Sequence, residues 1–214
     1  MYTCAHCQIM GCRSNSNDNL PQNCPMLLHP EIQDEPDPAY FEPEHHDFYV
    51  KSSEIEATGY GEWPRIREII ELCHDCGYKK VGLAFCAGLK KEAQIAANIL
   101  MKNGLEVVSV ICKVGHVEKK KVGITKTIRK PCEFEPICNP VQQAKLLDAE
   151  KPDLNIVFGL CVGHDTLFYK YTKTLVTTLV VKDRVLAHNP IGAIYCADGY
   201  MKKRLDPQTN HKSV

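Results

Sequence analysis

Sulfur carries the chemistry in this sequence. Cys4, Cys7, Cys12 and Cys24 follow one another as Cys-x2-Cys-x4-Cys-x11-Cys. Little apolar material lies between them: Ile9, Met10 and Leu20. Such a segment cannot bury enough surface to fold alone, and a bound metal would supply that free energy. Four thiolates complete a tetrahedral zinc site or hold an iron–sulfur cluster. The Cys-x2-Cys opening suits either. The wider later spacings and Cys24-Pro25 lean towards a cluster, and His6 could replace one ligand. Unrelated surface cysteines are the alternative, but exposed free thiols are usually avoided.

A second set, Cys86, Cys112, Cys138 and Cys161, is spread along the chain, so the fold must gather it. Ile156, Val157, Phe158 and Leu160 form a short β-branched and aromatic run, which predicts a strand buried on both faces. It delivers Cys161 inside Gly159-x-Cys161-x-Gly163, with Asp165 as the expected cap of a following helix. Val81 to Phe85 predicts a strand that delivers Cys86. Leu105 to Ile111 predicts another that delivers Cys112. Between these two strands, Leu89 to Asn103 reads as a helix with a small-residue face of Ala93, Ala96, Ala97 and Leu100. A fourth strand is expected over Thr174 to Val181, with a short extension at Val185 to Ala187. In an open α/β sheet, ligands bind beyond the carboxyl ends of the strands. Asn139-Pro140 predicts a helix start just after Cys138, and helix starts lie at that same edge. Four thiolates from four connections can therefore surround one centre, a second iron–sulfur or zinc site. His164, Asp165, Lys182, Asp183 and His188 are expected around it. Cysteine is also a small hydrophobe often buried at strand ends, and that is the structural alternative.

A rival reading uses the same residues. Gly159-x-Cys161-x-Gly163 copies the nucleophile elbow with cysteine for serine. Asp183 and His188 follow in the order acid, base, so Cys161, Asp183 and His188 could form the triad of a thiol hydrolase or acyl transferase. That reading leaves Cys86, Cys112 and Cys138 without a role.

The remaining texture sets the domain plan. A chain of 214 residues can bury a real core without disulfides. Residues 1–24 are the cysteine-rich metal knot. Residues 25–62 carry Pro25, Pro30, Pro36, Pro38 and Pro43 among acidic residues, and predict an extended, helix-free linker. Residues 63–214 are the α/β domain, a three-layer Rossmann-like arrangement with a mainly parallel sheet of about four strands. Arg65 to Cys76 reads as an amphipathic helix ended by Gly77, with Cys73 in the core and Cys76 incidental. A last helix is expected from His188-Asn189-Pro190 towards Leu205, broken near Gly199. Residues 206–214 read as frayed. Cys132 and Cys196 receive no role.

Lys and Arg total 26, as do Asp and Glu, so no global charge argues for nucleic acid. The basic stretch from Lys113 to Lys130, with Lys119-Lys120-Lys121, lacks interleaved aromatics for base stacking. It reads as a loop that either is solvated, binds an anion, or meets the acidic residues of 31–62. His45-His46 reads as solvated. No run reaches the roughly 18 apolar residues of a membrane span. The N-terminus has no signal-peptide pattern. A cytoplasmic protein is expected, with a small-molecule or redox partner and no membrane or nucleic-acid partner.

The segments Leu83-Ala-Phe-Cys-Ala-Gly-Leu-Lys-Lys-Glu-Ala, Cys138-Asn-Pro-Val-Gln-Gln-Ala, Gly159-Leu-Cys-Val-Gly-His-Asp-Thr-Leu-Phe and Lys182-Asp-Arg-Val-Leu-Ala-His-Asn-Pro resemble an uncharacterised prokaryotic family, domain of unknown function 1847. The N-terminal cysteine segment resembles that family too, so the likeness is expected over nearly the whole chain. The family is usually labelled metal-binding, and the resemblance implies that property and no particular reaction. Many relatives come from anaerobes, which makes iron–sulfur chemistry easier to entertain.

Overall fold

The computed structural model describes residues 1–14, 17–33, 36–128 and 134–207. The chain divides into two compact units, residues 1–54 and 55–214.

The second unit is organised by a sheet of β1 (Lys80–Phe85), β2 (Glu106–Ile111), β3 (Leu154–Phe158) and β4 (Val176–Val180). The strand order is β2-β1-β3-β4 and every pairing is parallel. Every residue of β3 is buried, Asn155 included, as a central strand covered on both faces requires. The longer helices are α1 (His46–Gly59), α2 (Arg65–Asp75), α3 (Lys90–Lys102), α4 (Pro140–Ala149) and α5 (His164–Tyr171). Two short ones, α6 (Ile191–Tyr195) and α7 (Lys202–Leu205), follow. This is the expected three-layer α/β fold.

One face of the sheet packs Val81, Leu83 and Ile156 against Ile69, Ile70 and Cys73 of α2 and Ala93, Ala96 and Leu100 of α3. The other packs Ala84 and Val157 against Ala144 and Leu147 of α4 and Phe168 of α5. Side chains alternate between these faces along β1, as the two-residue strand period demands. Each large apolar side chain so buried contributes about 1.5–3 kcal/mol. The alanines of α3 let its backbone approach the sheet. The connection from β1 to β2 runs through α3 on one face, and that from β3 to β4 through α5 on the other. The two leave in opposite directions, which opens a crevice over the carboxyl ends of β1 and β3.

Local chemistry sets the boundaries. Gly77, at φ +70°, ends α2, and the Tyr78 N–H reaches back to the Cys73 carbonyl at 2.8 Å. Asn139 caps α4, its side chain accepting the Gln142 N–H at 3.2 Å, with Pro140 at the first helical position. On the edge strand β4, Arg65 Nε donates to the Thr178 carbonyl at 2.6 Å and Nη2 to Thr177 Oγ1 at 3.0 Å. The Tyr169 hydroxyl pairs with Thr178 Oγ1 at 2.6 Å.

Four local expectations are corrected. The proline-rich segment is not free of helix. Pro25–Leu28 and Pro30–Gln33 are single turns that begin on a proline, where a missing N–H costs nothing. The prolines stop at Pro43, and α1 then runs unbroken to Gly59. Asp165 is not the cap of α5. Gly163 holds that place at φ +81°, while the Asp165 carboxylate accepts the N–H of Thr166 at 2.8 Å. Val185 to Ala187 is a turn, because Asp183 Oδ1 takes the N–H groups of Val185 and Leu186 at 2.8 and 2.9 Å. The last helix is two short helices, α6 and α7, separated by turns over residues 196–201.

The long basic stretch has structure of its own. Glu118 and Pro136 form an antiparallel bridge, and Lys119–Val122 is a 3-10 turn. Cys132 and residues 208–214 lie outside the described residues. No described helix is long and apolar enough to cross a membrane.

Candidate metal centre

Three of the four dispersed cysteines meet at the sheet edge. Cys86 ends β1 and is buried; Cys112 follows β2 and is buried; Cys138 precedes the cap of α4 and is half-buried. Cys112 sits between the other two thiols and interacts with both. Cys112 Sγ also accepts the Ala87 N–H at 3.3 Å, and the Asn139 N–H donates to the Cys112 carbonyl at 2.7 Å. The start of α4 is thereby tied to the end of β2.

Proton sharing divides the three thiols. Cys86 is held well below the ordinary thiol range, first by its contact with Cys112, then by a backbone bond from Gly88 and by Lys182, against the opposing effect of burial. Cys138 is lowered first by Cys112 and next by His164. Cys112 is pushed up by the same two neighbours, Cys138 first, and by burial. His164 is raised in turn by its bond to Cys138. Thiolates are the form in which cysteine binds metal.

Cys161 faces the same edge through a different partner. Arg184 Nη2 donates to its sulfur at 2.9 Å, and the charges of Cys161, Cys86 and Cys138 all raise the Arg184 guanidinium. Lys182 Nζ lies 3.4 Å from Cys86 Sγ. Lys113 Nζ donates to the Pro136 carbonyl at 2.7 Å and lowers Cys138 through its charge. Seen as ligands, Cys86, Cys112 and Cys138 form a line with Cys112 central. Among the described residues, no three cysteine sulfurs all lie within 4.8 Å of one another. Thiolates bound about 2.3 Å from one zinc ion sit about 3.8 Å apart. A cluster places several metal atoms between its cysteines and tolerates wider spacing. A donor set of sulfur atoms is of the kind that soft metals take.

The triad Cys161, Asp183 and His188 is not assembled. The Asp183 carboxylate is engaged by its own turn, and its backbone N–H donates to His188 Nδ1 at 3.1 Å. With Nδ1 accepting, neutral His188 carries its proton on Nε2 and cannot use that nitrogen as a base.

In the first unit, Cys4, Cys7, Cys24 and His6 line one cavity of about 370 Å³, and Cys12 does not. Asn23 fastens the ends of this segment, donating to Thr3 Oγ1 at 2.6 Å. None of the described residues from 1 to 54 is buried. That is the signature of a segment without a core of its own. Among the described residues, Glu42, Glu44 and His45 do bring three ligand atoms within 4.8 Å of one another, all exposed, which agrees with a solvated setting for His45.

Two contributors had not been singled out in the sequence. Gln143 of α4 is fully buried, and Nε2 donates to the carbonyls of Phe85 at 3.2 Å and Val110 at 2.7 Å. It clamps the two strand ends that carry Cys86 and Cys112. Its signal was a polar residue beside Ala144 on the apolar side of a helix. Arg184 lies within the Lys182-Asp-Arg-Val segment, and no spacing rule points it at Cys161. The Lys119 ammonium, on a stretch expected to be solvated, to bind an anion or to meet residues 31–62, pairs with Glu135 at 2.7 Å, both side chains about nine-tenths buried.

A family model described as protein of unknown function (DUF1847) matches residues 24–179. The match takes in Cys24, Cys86, Cys112, Cys138 and Cys161, and stops short of Cys4 to Cys12 and of Lys182 to Pro190. It is thus narrower than the near-complete likeness expected. The chain is also 52% identical over 155 residues to an uncharacterized protein, MJ0455, of the archaeon Methanocaldococcus jannaschii, covering 72% of this chain and 78% of the other.

Proposed function

This chain belongs to the family of proteins of unknown function DUF1847, and on that premise we propose that it is a metal-binding protein with two cysteine-ligated centres. The first is held by Cys4, Cys7, Cys12 and Cys24 and maintains the fold of the N-terminal unit. The second lies at the carboxyl edge of the sheet. Cys86, Cys112 and Cys138 are its core ligands, and Cys161 or His164 completes it. Zinc and an iron–sulfur cluster both suit sulfur ligands, whereas magnesium and calcium prefer oxygen.

The observation that carries the second centre is the contact of three thiols from three separate connections, Cys112 between Cys86 and Cys138. A core that used cysteine merely as a small hydrophobe would not aim Lys182, Arg184 and His164 at the sulfurs. A zinc ion there would supply Lewis acidity, and a cluster would supply one-electron transfer to a small-molecule or redox partner. The chain's own residues contribute the rest. Gln143 sets the spacing of the ligands, and Lys182 and Arg184 balance the negative charge of thiolate ligation.

Anaerobic purification followed by elemental analysis and absorption spectroscopy tests this. Two centres per chain are expected, one lost in Cys112→Ser and the other in the Cys4→Ser, Cys7→Ser double variant. A wild type with the same metal content as Cys112→Ser would remove the second centre, and full content in the double variant would remove the first.

A further inference from the structure

The connection from Cys112 to Cys138 encloses a cavity of about 290 Å³, whose lining includes Glu118, Lys119, Lys120, Gly123, Ile124 and Glu135 and no described cysteine. The connection is closed by its own backbone. The Lys119 N–H donates to the Glu135 carbonyl at 3.0 Å and the Ile137 N–H to the Val117 carbonyl at 2.8 Å, on either side of the Glu118–Pro136 bridge. Gly123, at φ +77°, ends the 3-10 turn in the left-handed region that suits glycine. The Ile124 N–H then returns to the Lys119 carbonyl at 3.1 Å, which brings Ile124 to the cavity wall.

One polar atom at this wall lacks a partner. Glu135 Oε1 takes the Lys119 ammonium at 2.7 Å and the Ile128 N–H at 3.5 Å. Glu135 Oε2 is buried and has no hydrogen-bond partner among the described residues. A buried ion pair repays its desolvation only when its remaining lone pairs are satisfied, and here one oxygen is not. The charges, by contrast, are already matched. Lys119 Nζ is shared between Glu135 and the Lys126 carbonyl at 3.2 Å, and Lys120 Nζ lies 3.8 Å from Glu118 Oε1. An anion finds no free cation in this lining, and a cation finds no excess of negative charge. What the cavity lacks is one hydrogen-bond donor. Ile124, Gly123 and the lysine stems give it apolar walls. Its volume stands at the lower end of ligand cavities, room for one ring.

We propose that this cavity binds a small neutral molecule with an apolar, ring-sized body and an N–H donor, an amide or an amino-heterocycle, directed at Glu135 Oε2. The site does not depend on the metal reading.

The test titrates the full, isotope-labelled chain with benzamide, and separately with methyl benzoate, by nuclear magnetic resonance. The two probes share ring and carbonyl, and only the amide donates. Benzamide should shift the backbone signals of Gly123, Ile124 and Ile128 with saturation in the millimolar range expected of so small a ligand. Methyl benzoate should bind roughly tenfold more weakly, the scale of one hydrogen bond to a charged group. Ile124→Ala leaves the Lys119–Glu135 pair in place and should weaken benzamide roughly fivefold through lost apolar contact. Glu135→Gln should reverse the preference between the probes, because its amide oxygen takes the lysine and its nitrogen turns a donor into the cavity. Should Glu135→Gln open the connection to proteolysis, the wild-type preference and Ile124→Ala decide. No saturable shift at these residues, equal affinity for both probes, or full benzamide binding in Ile124→Ala overturns the proposal. Stronger binding of inorganic phosphate than of benzamide also overturns it, because the lysines would then be the binding groups.

Discussion

Replacing Gln143 with methionine separates the holding of a metal site from the holding of a fold. Gln143 Nε2 makes two bonds, to the carbonyls of Phe85 and Val110. Losing them costs about 0.5–1.5 kcal/mol each. Phe85 O keeps the Cys112 N–H at 2.9 Å, so that carbonyl is not left bare. Against this, Gln143 Oε1 is buried with no partner among the described residues, and methionine of similar length removes that burden of about 1–3 kcal/mol. The two effects nearly cancel, and the net change should stay within about 1.5 kcal/mol, or roughly 6 °C in melting temperature for a chain of this size. The ends of β1 and β2 would no longer be clamped, and Cys86 and Cys112 would drift relative to Cys138. Metal retention should fall by about 10–100-fold, the usual effect of removing a support behind a ligand. Thermal melts of the metal-free chain and chelator competition on the loaded chain measure the two quantities separately. Retention equal to wild type would refute the clamp, and a melting loss far beyond that range would refute the cancellation.

Three other outcomes follow from the geometry. Cys73 is fully buried, and burial first, with Cys76 and Asp153 adding, pushes its thiol up to about 12. At pH 8 only about one molecule in ten thousand would carry that thiolate, so iodoacetamide should reach Cys73 on unfolding and not before; native-state labelling would contradict its place in the core. His188→Ala should leave the alkylation rate of Cys161 unchanged, and a large fall would reinstate the triad. The Lys119 bond, first among the causes, holds the Glu135 carboxyl below its ordinary value. A lowered carboxyl stabilises above its unfolded value and loses that contribution as pH falls through the folded one. Protection of residues 113–128 from proteolysis should therefore be full above pH 4.5 and decline below it, and Glu135→Gln should abolish the pH dependence.

The four strands were legible because each holds a short run rich in apolar or β-branched residues, and Cys86, Cys112 and Cys161 were legible because they come just after the ends of β1, β2 and β3, at the ligand edge. Asn139 and Gly77 were legible because caps depend on one residue's own chemistry. Helix α1 was not, since prolines up to Pro43 coloured the whole segment and few of its residues are buried, Ile55 and Gly59. Val185 to Ala187 has strand composition, yet the Asp183 carboxylate closes a turn over it, a local bond that composition does not reveal. At the site, which cysteines gather followed from topology. Their proton sharing, the clamp by Gln143 and the reach of Arg184 to Cys161 depend on distances between residues far apart in sequence.

The bonds that Arg65 makes to β4 bear on how this molecule meets copies of itself. A parallel sheet of four strands ends in two open rims, each a template on which another chain could add a strand. On the β4 rim the Thr178 carbonyl already has the Arg65 guanidinium as its donor, and the threonine hydroxyls are taken by Arg65 and Tyr169. An incoming strand would have to displace a charged side chain to bond there. The β2 rim is guarded more lightly, by exposed Glu106 held by Lys80 at 3.0 Å. Arg65→Ala should thus leave the core intact while making the protein prone to strand-by-strand association through β4, a liability visible as concentration-dependent light scattering long before any loss of helix.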